Sequence, residues 1–203
     1  MSSGASDLLE SFERHDYAAI ISHLVGNEEL DVNSGSNTLL HHACGSGHVS
    51  LVTLLLAHPG IDVNRVDDSG CTPFLVACWG GQVEVIKLLL RDPRVDVNLP
   101  SAEGATPLWY AAYIGFQDVV RWLIASGREL DFDSKASDGT SALEAARKAG
   151  KSRIAELIKL ARQNPKQVQL EMLSKLGLKG LPPPSHPLQP PRASKTKRDD
   201  TGL

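Results

Sequence analysis

Aromatic residues are scarce in this chain, 10 of 203 or 5%, although a hydrophobic fraction of 41% is enough to furnish a core. Cysteine is scarcer, at three. An odd count without paired spacing argues against a disulfide framework and for a reducing compartment. No apolar run approaches the roughly 18 residues a membrane-spanning helix needs. The first residues, Met1 to Asp7, are small and polar and lack the basic-then-apolar order of a leader. The expectation is a soluble protein of the cytoplasm or nucleus, without a membrane partner.

The motifs that carry chemistry are missing too. There is no Gly-x-Ser-x-Gly, and no Gly-rich loop ends in Gly-Lys-Ser/Thr. An activated nucleophile with a base and an orienting acid is not discernible. His41, His42, Cys44 and His48 lie close together, but the paired Cys-x-x-Cys spacing of zinc sites is absent. Neither catalysis nor a cofactor or metal is expected.

The net charge of -3 conceals a division. Residues 1–165 hold 21 acidic and 14 basic side chains, a balance of -7; residues 166–203 hold 3 and 7, a balance of +4. The acidic body repels phosphates, so no nucleic-acid partner is expected for the folded part.

What the chain does have is an internal repeat. The segments around Thr38, Thr72, Thr106 and Ser141 align, with starts 34, 34 and 35 residues apart. Ala43, Ala77, Ala111 and Ala146 keep the same intervals, as do Gly47, Gly81, Gly115 and Gly150. Three markers in one phase define a unit. Thr-Pro pairs at 72–73 and 106–107 start a short helix, because the hydroxyl caps free amides and proline needs no amide partner there. Each Gly closes that helix. A second helix follows, apolar at helical spacing through Val83, Val85, Ile86, Leu88 and Leu89 in one unit and Val119, Val120, Trp122, Leu123 and Ile124 in the next. One unit cannot cover so apolar a face, so the units must stack. Gly70 and Gly104 fit tight hairpin turns between helix pairs.

These residues resemble the ankyrin repeat, in which a β-turn and two helices carry a Thr-Pro-Leu-His signature. The resemblance rests on Gly-x-Thr-Pro, on Ala-Ala or Ala-Cys in the first helix, on the inter-helix Gly, on Leu-Leu-Leu, and on Asp-Val-Asn at 31–33, 62–64 and 96–98. It covers about residues 7–164. It implies an all-α repeat solenoid of about five units, at 7–33 (a degenerate N-terminal cap), 34–64, 65–98, 99–133 and 134–165. Residues 1–6 are expected to be disordered, 166–180 to add a C-terminal helix, and 181–203 to form a Pro-rich, basic, disordered tail. The signature is nowhere intact. Only the first full unit keeps its His, as His41; Leu75, Trp109 and Glu144 stand at that position later. The family's His ties adjacent hairpins together, so the later junctions are expected to be looser or held by packing.

Function by resemblance is protein binding by a monomeric scaffold on a concave face built from hairpin tips and first helices. Carried over residue by residue, the hairpin-tip positions are Asn37, Asp68, Ser69, Cys71, Ala102, Glu103 and Ala105. The exposed first-helix positions include Trp79, Tyr113 and Ile114. Trp79 and Tyr113 occupy the same point of neighbouring units, with Trp109 and Tyr110 close by, and Trp and Tyr are favoured interface anchors. The partner-binding set is therefore Trp79, Tyr113, Trp109, Ile114, Asp68, Ser69, Glu103 and Asn37; Tyr110 is assigned to packing. Similar Leu-rich, Asp-Val-Asn segments also imply asparagine hydroxylation at Asn64 or Asn98.

The tail offers a second partner. Pro187, Pro190 and Arg192 have the spacing of a polyproline II ligand for a proline-recognition domain, which would make the chain a two-partner adaptor.

Overall fold

The computed structural model of the protein describes residues 8, 10–12, 14–24 and 30–177. The N-terminal stretch 1–6 and the Pro-rich tail, with Pro187, Pro190 and Arg192, lie outside the described residues.

Helices follow one another in pairs: α1 (Tyr17–Leu24), α2 (Leu39–Gly45) and α3 (Val49–Ala57), α4 (Pro73–Trp79) and α5 (Val83–Leu89), α6 (Pro107–Ile114) and α7 (Gln117–Ala125), α8 (Ala142–Lys148) and α9 (Ser152–Gln163), then α10 (Pro165–Lys175). Residues 10–12 are helical as well, ahead of α1. The described residues contain no strand beyond one isolated antiparallel bridge between Lys135 and Ser141. The architecture is an all-α repeat solenoid.

Local chemistry sets each start. Thr72 and Thr106 Oγ1 accept from the amides of Leu75 and Trp109, each at 3.2 Å. In the last pair Ser141 and Glu144 cap reciprocally, the Ser141 amide donating to Glu144 Oε2 at 2.8 Å. First helices α2, α4, α6 and α8 pack on one another more closely than the second helices do. The reason is the alanine column: Ala43, Ala77, Ala111 and Ala146 are fully buried, and a methyl group lets backbones approach.

The second helices supply bulk to the core through Leu55, Ile86, Leu89, Leu123 and Ile158. Helix α10 lies over both α9 and α7, burying Val168 and Met172. It runs antiparallel to α7, since Gln169 sits against Gly127 and Lys175 shares a groove with Gln117.

Between units the loops are joined by a ladder of asparagines. Asn33, Asn64 and Asn98 each donate from Nδ2 to a carbonyl of the next unit (Gly60, Arg94 and Glu129), at 2.7 Å in every case. Each accepts on Oδ1 from the amide of Asp62, Asp96 or Asp131 at 2.8–2.9 Å. Both halves of the amide are thus used across a unit boundary, which explains why Asp-Val-Asn recurs. Asp133, at the equivalent place after the last pair but one, instead meets Arg162.

A candidate binding face on the hairpins and first helices

The hairpins at 67–71, 101–105 and 136–140 are built by the same few bonds. Ser101 N–H donates to the Ala105 carbonyl at 3.0 Å and Gly104 N–H to the Ser101 carbonyl at 2.8 Å. Gly70 shows why glycine is required: its φ is +71°, and an added Cβ would stand 2.6 Å from the Ala102 amide nitrogen. That close approach lets neighbouring tips bond directly, Ala102 N–H to the Ser69 carbonyl at 2.9 Å and Ser137 N–H to the Glu103 carbonyl at 2.7 Å. Ser36 Oγ donates to Asp68 at 2.8 Å, tying the first tip to the second. Asn37, Asp68, Ser69 and Glu103 are all exposed along this edge. Cys71 and Ala105 are not surface positions, contrary to expectation: they are buried, because the chain returning from each hairpin turns inward to start the next helix.

Trp79 and Tyr113 are the exposed large apolar side chains of the first helices, at 58% and 48%. Their rings are linked through two others. Trp79 lies 6.2 Å from Tyr110, Tyr110 packs edge-on against Trp109 at 5.3 Å, and Trp109 stacks on Tyr113 at 5.0 Å and 19°. The result is a continuous four-ring surface across α4 and α6. Tyr110, assigned to packing from the sequence, is half-buried and forms the bridge. A spacing of one residue from Trp109 gave no sign of this, since Tyr110 leans toward α4 and Trp109 toward the last pair. Ile114 is half-buried at the end of α6.

The junctions without His differ from expectation in one case. In the first full unit, His41 accepts from the Thr38 amide on Nδ1 at 3.2 Å and its Nε2 lies 3.0 Å from the Cys71 carbonyl. The Nε2–H tautomer satisfies both contacts. Burial pushes the ring's pKa below the ordinary histidine value, consistent with a neutral ring. Leu75, in the next unit, is fully buried and works by packing. At the third, Trp109 does by hydrogen bonding what His would do: its Nε1–H donates to Thr140 Oγ1 of the next hairpin at 3.1 Å. The Thr140 hydroxyl in turn donates to Asp138 Oδ1 at 2.6 Å, and Lys148 reaches Asp138 at 3.3 Å. That junction is therefore not loose.

The histidine cluster is already occupied with protein contacts. His48 Nε2 lies 2.6 Å from the Tyr17 hydroxyl, and Phe12 packs against both His42 and His48. Cys44 and Cys78 are fully buried, which raises their thiol pKa far above the ordinary value. Burial, with Asp67 and Glu103 nearby, pushes Cys71 up to about 11. Burial of this kind disfavours the free thiolate.

Electrostatically the face is graded. Asp68 and Glu103 mark the tips beside α4 and α6, whereas Arg147 and Lys148 lie exposed on α8.

A stack of helix pairs joined by bonded hairpins defines the class: an all-α repeat scaffold. Family models for ankyrin repeats match it, "many copies" over residues 40–90 and "3 copies" over residues 93–168. The chain belongs to the ankyrin-repeat family, whose repeats generally mediate protein–protein interaction. No curated protein matches it. Among the described residues, no helix is long and apolar enough to cross a membrane.

Proposed function

We propose that this chain is a non-catalytic binding module that holds a protein partner on the concave, first-helix side of its stack. The four-ring surface carries the reading. Trp79 and Tyr113 expose 58% and 48% of their area on helices whose inner faces are already buried. Large aromatics left this open on a rigid scaffold are unusual unless something covers them. Each loses little side-chain entropy when covered, so burial converts efficiently to affinity.

The anchors are Trp79 and Tyr113, extended by Trp109 and Ile114. Asn37, Asp68, Ser69 and Glu103 form a polar rim that fixes register. A partner presenting apolar groups and a cation suits this surface. Asn64 and Asn98 are assigned a different role, since their amides staple adjacent units.

The test is affinity capture with mass spectrometry from source cells, comparing the full chain with Trp79→Ala/Tyr113→Ala. The double variant should keep its helical circular dichroism and melting temperature and lose its partners. A folded double variant that retains every partner would refute the assignment.

A further inference from the structure

We propose that the Pro-rich basic segment of this same chain, residues 181–198, docks on the four-ring face of α4 and α6 and covers it in cis. The proposal rests on the reading of that face as the working surface, and adds a ligand and a means of regulation.

The chemistry matches on both sides. Prolines are recognised by aromatic-lined surfaces, where a flat pyrrolidine packs on an indole or phenol and a preformed extended backbone loses little entropy. Pro187 and Pro190 stand three residues apart, followed by Pro191 and Arg192. Trp79, Tyr110, Trp109 and Tyr113 present adjacent rings at centroid separations of 5.0–6.2 Å. The spacing agrees: two prolines three apart are separated by about 9 Å along a polyproline II chain, comparable to two successive ring intervals.

Charge sets the polarity. Residues 1–165 sum to -7 and residues 166–203 to +4. Arg192, Lys195, Lys197 and Arg198 follow the prolines, and Asp68 and Glu103 stand exposed at the tips beside the rings. Cations are attracted to carboxylates and to aromatic faces alike.

Geometry brings the segment to the right place. Helix α10 ends at Lys175, which shares a groove with Gln117. Gln117 lies four residues beyond Tyr113, just past the turn that closes α6. Helix α10 packs on the second helices α7 and α9, so the described chain ends on the second-helix side, at the Gln117 end of the units. Nine residues, 178–186, precede Pro187. They span up to about 28 Å at about 3.1 Å per residue, while α6 from Thr106 to Tyr113 is only about 10 Å long. A tether of that length exceeds the roughly 10 Å thickness of one helix layer that separates the end of α10 from the rings, so it can bring the prolines to the rings and the cations after them toward the tips. A short tether also gives an effective concentration on the order of millimolar, so a weak peptide site is filled in cis and a cellular partner must displace the tail.

The experiment uses the full chain, the full-length tail variant Pro187→Ala/Pro190→Ala/Arg192→Glu, and a labelled peptide of residues 181–203. The Trp79 and Trp109 indole N–H resonances should differ between the two chains. The peptide should bind the tail variant about tenfold more tightly than the wild type, whose own tail competes. Adding Trp79→Ala/Tyr113→Ala to the tail variant should weaken peptide binding about tenfold or more, with helical circular dichroism unchanged. Identical indole resonances with equal peptide binding would overturn the proposal, and so would peptide binding indifferent to the loss of Trp79 and Tyr113. Wild-type resonances that move to the variant's positions on dilution would assign the tail to another copy and overturn docking in cis. Partner capture separates this from the function proposed above. If peptide binding fails while the double ring variant still loses its partners, the binding face stands without the tail; if the ring variant loses the peptide and keeps its partners, the tail docks and the partner surface lies elsewhere.

Discussion

Trp109 and Thr140 are joined across a repeat boundary, the indole Nε1–H donating to the threonine Oγ1 at 3.1 Å. The bond holds one face of the ring stack to the next hairpin, so the platform's rigidity and the stack's continuity depend on the same contact. Trp109→Phe keeps most of the ring and removes the donor, leaving Thr140 still bonded to Asp138. The expected loss is about 1 kcal/mol. A double-mutant cycle with Thr140→Val, read by urea unfolding, should show coupling of similar size; additive effects would mean that the bond contributes nothing.

Asn64 and Asn98 each make a donor and an acceptor bond to the following unit. Replacing either by Ala removes both and leaves the two partners to water, at an expected cost of about 2 kcal/mol. Asn→Asp should be little better, because a carboxylate keeps the acceptor but turns a negative oxygen toward the Arg94 or Glu129 carbonyl. Unfolding free energies within experimental error of wild type would exclude the staple.

His41 makes stability depend on pH. Its folded pKa is lowered, chiefly by burial, so the unfolded chain binds the proton more readily. The stabilisation is fully present above the unfolded value of about 6.5 and falls away as pH drops below it toward the folded pKa. A proton on Nδ1 would also face the Thr38 amide that now donates to it. Melting temperature should therefore fall between about pH 7 and pH 5, and more steeply in wild type than in His41→Gln. Parallel profiles would assign the slope to other groups.

Gly70 tolerates no side chain. Its φ of +71° and the 2.6 Å approach of the Ala102 amide to any Cβ both oppose Gly70→Ala, which should cost more than about 1 kcal/mol. Gly139, also at positive φ but with nothing within 4 Å, isolates the backbone contribution. Equal losses at the two positions would show that tip-to-tip approach is unimportant.

The thiols of Cys44, Cys71 and Cys78 should resist alkylation in the native chain at pH 8 and react promptly in urea, since burial keeps them protonated. Rapid native labelling of any of them would show that the stack opens locally far more often than its packing indicates.

By itself the sequence determined the solenoid. Period, helix starts at Thr and Ser, the alanine column and the hairpin glycines are local or strictly recurrent features, legible because each depends on a residue's own backbone and its place in the unit. Trp79 and Tyr113 were legible as exposed for the same reason. Tertiary structure alone decided which side chains meet across a boundary. Tyr110 bridges to Trp79 because it leans toward α4, Trp109 replaces a missing His because its indole nitrogen reaches Thr140, and Cys71 turns inward although exposed Ser69 stands two residues before it. Those contacts join residues about 30 positions apart, and the direction of a side chain over such a gap depends on the docking of whole units rather than on spacing along the chain.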